Sequence, residues 1–77
     1  KMKLHNLRPG QQAVITSVDL AGPQAARLQS LGFVPGSVVT AVRSAPLGDP
    51  VEYSVRGIRV ALRQRESLGI AISESTP

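Results

Sequence analysis

Apolar and polar residues alternate over short segments of this chain, and glycine or proline separates one segment from the next. A period of two residues predicts a β-strand that buries one of its faces. Alternation of this kind, or a run of β-branched residues, predicts five strands: residues 13–18, 38–44, 51–56, 58–63 and 69–73. In the last three strands, the side chains expected to face the core are those of Val51, Tyr53, Val55, Ile58, Val60, Leu62, Ile70 and Ile72.

A short helix is predicted at residues 23–31, directly after the first strand. Pro23 suits the first helical position, where the N–H that proline lacks would have no partner in any case. Spacing of three residues places Ala25, Leu28 and Leu31 on one face of this helix, with both leucines expected in the core. Gly32 then predicts the end of the helix in a left-handed conformation. A single helical or 3₁₀ turn is predicted at residues 64–68.

Tight turns are predicted where glycine and proline interrupt the pattern. Pro35 and Gly36 occupy the second and third positions of a type II turn, and Gly57 predicts the turn between the third and fourth strands. Five short strands with one helix inserted after the first strand indicate a mostly β fold. We expect a small barrel, because an open sheet of this size would expose an apolar face and two edges.

The length of 77 residues predicts a single domain, which we expect to cover residues 2–74, with residues 75–77 as a flexible tail. Lys1 precedes Met2 and is left out of this domain. A chain this short buries only about 60% of the surface that its unfolded form exposes. Aromatic residues make up 3% of the sequence, namely Phe33 and Tyr53, so the core must be built from valine, isoleucine, leucine and alanine side chains.

Cysteine is absent, which excludes disulfides, thiolate metal sites and thiol catalysis. A small domain without disulfides fits a reducing compartment, and we expect a soluble cytoplasmic protein. No apolar stretch reaches the roughly 20 residues that a membrane-spanning helix needs.

Catalytic chemistry finds little support in the sequence. His5 is the only histidine, and none of the carboxylates forms a catalytic spacing with it. No glycine-rich phosphate-binding motif is present. We therefore expect no enzymatic activity, no cofactor and no intrinsic metal site, with His5 as a weak candidate ligand in an intermolecular metal site.

Two segments carry a family resemblance. Residues 28–37 read LQSLGFVPGS, and residues 42–51 read VRSAPLGDPV. In this order and spacing, with VRG at 55–57 and LR at 62–63, they resemble FeoA, the small ferrous iron transport protein A. The similarity extends over nearly the whole chain.

The resemblance implies an SH3-like barrel in the bacterial cytoplasm and a role in ferrous iron uptake. FeoA-like proteins support the membrane transporter FeoB, and the implied partner is the cytosolic part of FeoB, which includes a GTP-binding domain. Contact with the membrane would then be indirect, through the transporter. Related domains also form modules of iron-dependent repressors, but no helix-turn-helix precedes this one, so we expect a stand-alone domain.

The loop between the second and third strands is the first predicted binding surface. Its two prolines reduce the entropy lost when the loop is ordered. The residues predicted to bind a partner are Pro46, Leu47, Gly48, Asp49 and Pro50. Leu47 would be an exposed apolar anchor. Alternatively, Leu47 covers the end of the barrel and Asp49 bonds the N–H groups of its own turn.

Basic residues form the second predicted surface, since the net charge is +4. Arg27 lies on the predicted helix, and alternation places Arg56, Arg59 and Arg63 on the outer face of one hairpin. Such a patch would meet an acidic surface of the partner. Two alternatives remain: that these arginines form only a solvated face, or that the domain is a nucleic-acid-binding module or an accessory module of an iron-dependent regulator. Because Tyr53 is expected in the core and Phe33 in contact with the helix cap, no base-stacking surface is left, and we expect no specific nucleic acid. Weak self-association stays open.

Overall fold

The structure is a computed structural model that describes residues 2–73, so the expected tail at 75–77 lies outside the described residues. A 3₁₀ turn at Leu4–Asn6 precedes the first strand. The elements that follow are β1 (Gln12–Val18), α1 (Gly22–Leu31), β2 (Val38–Ser44), β3 (Val51–Val55), β4 (Ile58–Leu62), α2 (Gln64–Ser67) and β5 (Ile70–Ile72). Each of these bounds lies within one residue of the bound expected from the pattern. No helix in this part of the chain is long and apolar enough to cross a membrane.

The five strands form one antiparallel sheet with the order β4-β3-β2-β1-β5. The pairing register shifts in β1 between Ile15 and Ser17 and in β2 between Ala41 and Arg43. Irregularities of this kind bend a strand and increase its twist. Within residues 2–73 no ladder joins β4 to β5, so the sheet is not the hydrogen-bonded barrel expected from the pattern. Both sides of β5 are already occupied, one by β1 and the other by the start of the chain, where Lys3 forms a bridge with Ala71, so no side of β5 is left for β4.

The core fills the inner face of the sheet. Tyr53 is fully buried, as expected. Phe33, expected as a contact at the helix cap, is fully buried in the same core, and Leu28 of α1 packs among them. The hydroxyl of Tyr53 donates a hydrogen bond to the carbonyl oxygen of Leu4 at 3.4 Å, which connects β3 to the 3₁₀ turn. Burial raises the pKa of Tyr53, so the phenol stays neutral and remains a donor.

One residue expected in the core is not buried there. Ile58 shares the inner face with Val55, its partner in the ladder, but 45% of its surface is exposed. Because β4 is the last strand of the sheet, its inner face has a neighbour on one side only. The same position leaves Val60 only partly buried, whereas Leu62 at the end of the strand is in the core. Leu31 of α1 is also only partly buried, although it packs against the core.

The predicted turns are present. Gly32 ends α1 with a positive φ of 111°, and Gly36 follows Pro35 with a φ of 94°, as a type II turn requires. The β3–β4 connection consists of Arg56 and Gly57, whose φ values of 52° and 79° are both positive. Two successive left-handed residues define the type I′ turn that matches the twist of a hairpin.

Substitution of Gly57 by valine tests this hairpin. A β-branched side chain at a positive φ is strained, and we expect the free energy of unfolding to fall by about 1 kcal/mol or more. Ala61→Val is the matched control, since it adds the same side chain at an exposed position of β4. Thermal and urea unfolding measure both variants. Equal stability of the two would contradict the assigned turn.

Candidate partner-binding surface

The loop at residues 45–50 is a closed structure with an apolar tip. The N–H of Ala45 donates to the carbonyl oxygen of Pro50 at 2.9 Å, and the N–H of Gly48 donates to the carbonyl oxygen of Ala45 at 2.8 Å. These bonds hold Leu47 at the end of the loop with 97% of its surface exposed. The alternative that Leu47 covers the end of the core is therefore wrong. The loop presents one large apolar side chain to solvent.

Asp49 attaches this loop to α2. Its carboxylate accepts a hydrogen bond from the backbone N–H of Gln64 at 2.8 Å and lies 3.3 Å from the guanidinium of Arg63. The N–H of Gln64 is one of the groups at a helix start that lack a partner within the helix. Asp49 thus supports a backbone N–H 15 residues away, rather than the N–H groups of its own turn.

Glu66 is the residue that the sequence analysis missed. Only 8% of its surface is exposed, and its carboxylate lies between the two helices. One oxygen accepts from the backbone N–H of Arg63 at 3.1 Å. The other accepts from the guanidinium of Arg27 at 2.7 Å and from the side-chain amide of Gln24 at 3.3 Å. The sequence does indicate the hydrogen bond between Glu66 and Arg63, because Glu66 lies three residues after Arg63 at the start of α2, which is the spacing of a capping box. Nothing in the sequence indicates the contact of Glu66 with α1.

These contacts connect the loop, α2 and α1 in series. Asp49 bonds the start of α2, and Glu66 within α2 bonds Arg27 of α1. The structure therefore brings three predicted site residues, Asp49, Arg63 and Arg27, to successive points of one polar network. Because each contact restrains the next element, the exposed loop is held in a defined position relative to α1.

The remaining predicted arginines lie elsewhere. Arg56 occupies the β3–β4 turn, where its side chain lies against Gly32, and Arg59 is exposed on β4. The ion pairs among the described residues involve Arg27, Arg43 and Arg63, so Arg56 and Arg59 have no acidic partner there. Of the three arginines expected to form a patch at the hairpin, Arg63 therefore forms an ion pair with Asp49, whereas Arg56 and Arg59 form none within residues 2–73.

The carboxylate of Glu66 is held in its charged form. Burial alone would raise the pKa of Glu66, but the hydrogen bonds from Arg63, Gln24 and Arg27, together with the charge of Arg27, outweigh this effect. The pKa of Glu66 is therefore below its ordinary value of 4.5.

Metal-binding groups do not converge in the described part of the chain. No cluster of three or more histidine and acidic side chains occurs in residues 2–73. His5 lies in the 3₁₀ turn, and its Nδ1 is buried without a hydrogen-bond partner. No pocket is found in the structure of these residues either.

Comparison with known proteins adds to this geometry. The FeoA domain family matches residues 2–74. An Fe(2+) transport protein A/Fe(2+) transporter FeoB fusion protein of Porphyromonas gingivalis is 39% identical over 71 residues, which cover 92% of this chain but only 8% of the fusion protein.

Two solved structures share the fold. Iron(II) transport protein A of Clostridium thermocellum has a TM-score of 0.87 and 38% identity, over 92% of this chain and 44% of that one. FeoA of Stenotrophomonas maltophilia, described as an SH3 domain protein in complex with zinc, has a TM-score of 0.83 and 36% identity. That match covers 95% of this chain and 91% of the other. The SH3-like character of the fold is thereby confirmed.

Removal of the Arg27 guanidinium tests the junction between the helices. In Arg27→Ala, the nearly buried Glu66 loses its charged partner, and we expect the free energy of unfolding to fall by about 1–2 kcal/mol, since Arg27 is itself half exposed. Arg43→Ala is the control, because the Arg43–Glu52 pair is more exposed and should contribute at most about 1 kcal/mol. Urea unfolding compares the two, and equal losses would contradict a special role for the Glu66 contact.

The pH dependence of stability provides a second test. A carboxylate whose pKa is lowered by folding stabilises the folded state above its unfolded pKa, and this contribution is lost as the pH falls through the folded-state pKa. We expect the free energy of unfolding to decrease below about pH 4.5, and Glu66→Gln to decrease less steeply over this range. Urea unfolding at a series of pH values measures both slopes. Parallel slopes would contradict the assignment.

Proposed function

Because this chain belongs to the FeoA family, we propose that it is a non-enzymatic accessory protein of bacterial ferrous iron uptake. In this proposal it binds the cytosolic part of a FeoB transporter and modulates the transporter's activity. The observation that carries the proposal is the Porphyromonas gingivalis fusion protein, in which a related segment and a FeoB transporter share one polypeptide. Fusion keeps two partners at a high effective concentration, which favours an interaction between them.

The loop at residues 45–50 supports the proposal as a contact surface. A partner that covers Leu47 removes almost a whole leucine side chain from water, which contributes roughly 1.5–3 kcal/mol to binding. The loop's internal hydrogen bonds and the attachment of Asp49 to α2 order it before any partner arrives. Preorganisation of this kind lowers the entropy lost on association.

Modulation requires that the bound protein prefer one state of the transporter, because a ligand with equal affinity for all states shifts none of them. The cytosolic part of FeoB includes a GTP-binding domain, so the nucleotide state is the natural variable. Titration of this protein against that cytosolic region, with guanosine diphosphate, with a non-hydrolysable guanosine triphosphate analogue and without nucleotide, measures the preference. Absence of binding in all three states and to the intact transporter would reject the proposal.

Binding to nucleic acid is the competing outcome. The net charge of +4 would attract phosphates, but Phe33 and Tyr53 are both buried and offer no surface for base stacking. A gel-shift assay with duplex DNA at about 50 mM and 200 mM salt distinguishes the two functions, because phosphate attraction weakens steeply with salt. Tight duplex binding in place of transporter binding would favour the competing function.

Leu47→Asp tests the loop directly. We expect the melting temperature to stay unchanged, because Leu47 makes no contribution to the core, and the affinity for the cytosolic region to fall by about tenfold or more. Leu68→Asp is the matched control at another exposed leucine, of which 44% is exposed, and it should retain binding. Calorimetric titration measures affinity and thermal unfolding checks the fold. Unchanged affinity for Leu47→Asp would exclude this loop as the contact.

A further inference from the structure

The two edge strands of the sheet differ in how they are covered. The outer side of β5 is occupied by the start of the chain, since Lys3 forms a bridge with Ala71 and the N–H of Ile72 donates to the carbonyl oxygen of Met2 at 3.1 Å. β4 has β3 on one side and no described strand on the other. The fold thus already adds an extended segment to one edge and leaves the opposite edge open.

The pairing register identifies the open backbone groups of β4. A two-residue hairpin turn closes on a hydrogen-bonded pair, which here is Val55 and Ile58. Residues in the ladder alternate between facing the partner strand and facing away, so the N–H and C=O groups of Arg59 and Ala61 point away from β3. The same alternation is seen in β2, two strands away. The backbone of Ala41, which lies opposite Tyr53 of β3, forms its hydrogen bonds on the other side, with the backbone of Gly10 and Gln11.

This edge has defined ends. At its start lies the turn formed by Arg56 and Gly57. At its finish, the backbone N–H of Arg63 donates to the carboxylate of Glu66 and is no longer available. Between them, Arg59 and Ala61 provide two N–H donors and two C=O acceptors, all at positions whose residues are exposed. Four unpaired backbone groups in a row form a template for another strand.

The side chains around the edge indicate what such a strand would contain. Arg59 projects from the outer face and has no acidic partner among the described residues. On the inner face, Ile58 is 45% exposed and Val60 is partly buried. In a sheet, side chains that oppose each other across two strands lie on the same face and interact. An added strand would therefore place acidic side chains beside Arg59 and apolar side chains beside Ile58 and Val60.

We propose that the free edge of β4 binds an extended segment of a partner protein in which acidic and apolar residues alternate, by adding it to the sheet as a sixth strand. Backbone hydrogen bonds to Arg59 and Ala61 provide affinity, and the charge of Arg59 selects acidic segments. A second copy of this chain is a poor occupant, because two β4 strands would place their Arg59 side chains on the same face. The inference holds whichever protein supplies the segment, so it does not depend on the transporter.

The test uses a capped synthetic peptide of alternating glutamate and valine as the probe. We expect this peptide to shift the backbone NMR signals of β4 and to slow hydrogen exchange at the amides of Arg59 and Ala61. Two versions of the peptide, N-methylated at alternate residues in opposite phases, separate strand addition from charge attraction. One phase should lose binding and the other should retain it, because only every second N–H of an added strand points toward β4. A version with lysine in place of glutamate should bind weakly.

Protein variants complete the test. Ala61→Pro removes an N–H that no ladder bond uses, and we expect it to weaken peptide binding by about fivefold or more, the equivalent of one backbone hydrogen bond. Ala61→Val keeps the N–H and should bind as the unaltered protein does. Arg59→Glu should also weaken binding. Arg8→Glu, at an exposed arginine that forms no ion pair within residues 2–73, should not.

Several results would overturn the proposal. They are the absence of peptide binding, equal loss for both N-methylated peptides, signal shifts centred on the loop at residues 45–50, and pairing of β4 with β4 in a dimer. If Ala61→Pro fails to fold, the N-methylated peptides and the amide exchange of the unaltered protein decide the question alone.

Discussion

The inner face of the sheet must bury nearly all the large apolar side chains of this small domain, and this demand determines what remains for binding. Tyr53, Phe33 and Leu28 are fully buried, and full burial of such side chains contributes roughly 1.5–3 kcal/mol each. Among the described residues, only Val38, Leu47, Ile58 and Leu68 are large, apolar and exposed. Large apolar side chains outside the core are therefore few. Val38 and Ile58 begin β2 and β4, Leu47 lies in the loop between β2 and β3, and Leu68 follows α2.

Polar contacts hold together the parts that the apolar core does not reach. α2 is only four residues long, which is too short to be stable without outside support. The carboxylate of Asp49 accepts from its first N–H, and the carboxylate of Glu66 accepts from the backbone N–H of Arg63, just before α2, and from the guanidinium of Arg27 of α1. The same short helix separates β4 from β5. The bond between Asp49 and this helix also restrains the loop that carries Leu47.

The arginines fall into two groups with different uses. Arg27, Arg43 and Arg63 form ion pairs, and the Arg27 pair stabilises a carboxylate that is almost buried. Arg56, in the turn of the hairpin, and Arg59, on its open second strand, have no such partner in the described part of the chain. A positive charge on an open edge discourages pairing with a second copy of the chain while it attracts an acidic segment. The loop at residues 45–50 and the edge of β4 offer two distinct modes of contact, one through a side chain and one through the backbone.

The sequence by itself determined the elements and their order. Strands, helix and turns are set by local features, namely the period of two, the glycines at positive φ and Pro23 at the helix start, so their bounds agree with the structure within one residue. The sequence favoured an exposed Leu47 but left open that this residue covers the end of the barrel, and only the structure excluded that alternative. Tertiary structure alone decided that β4 does not pair with β5, that Ile58 is half exposed and that Arg27 contacts Glu66, 39 residues away. These features depend on which distant segments meet, and a local pattern of apolar and polar residues carries no information about that.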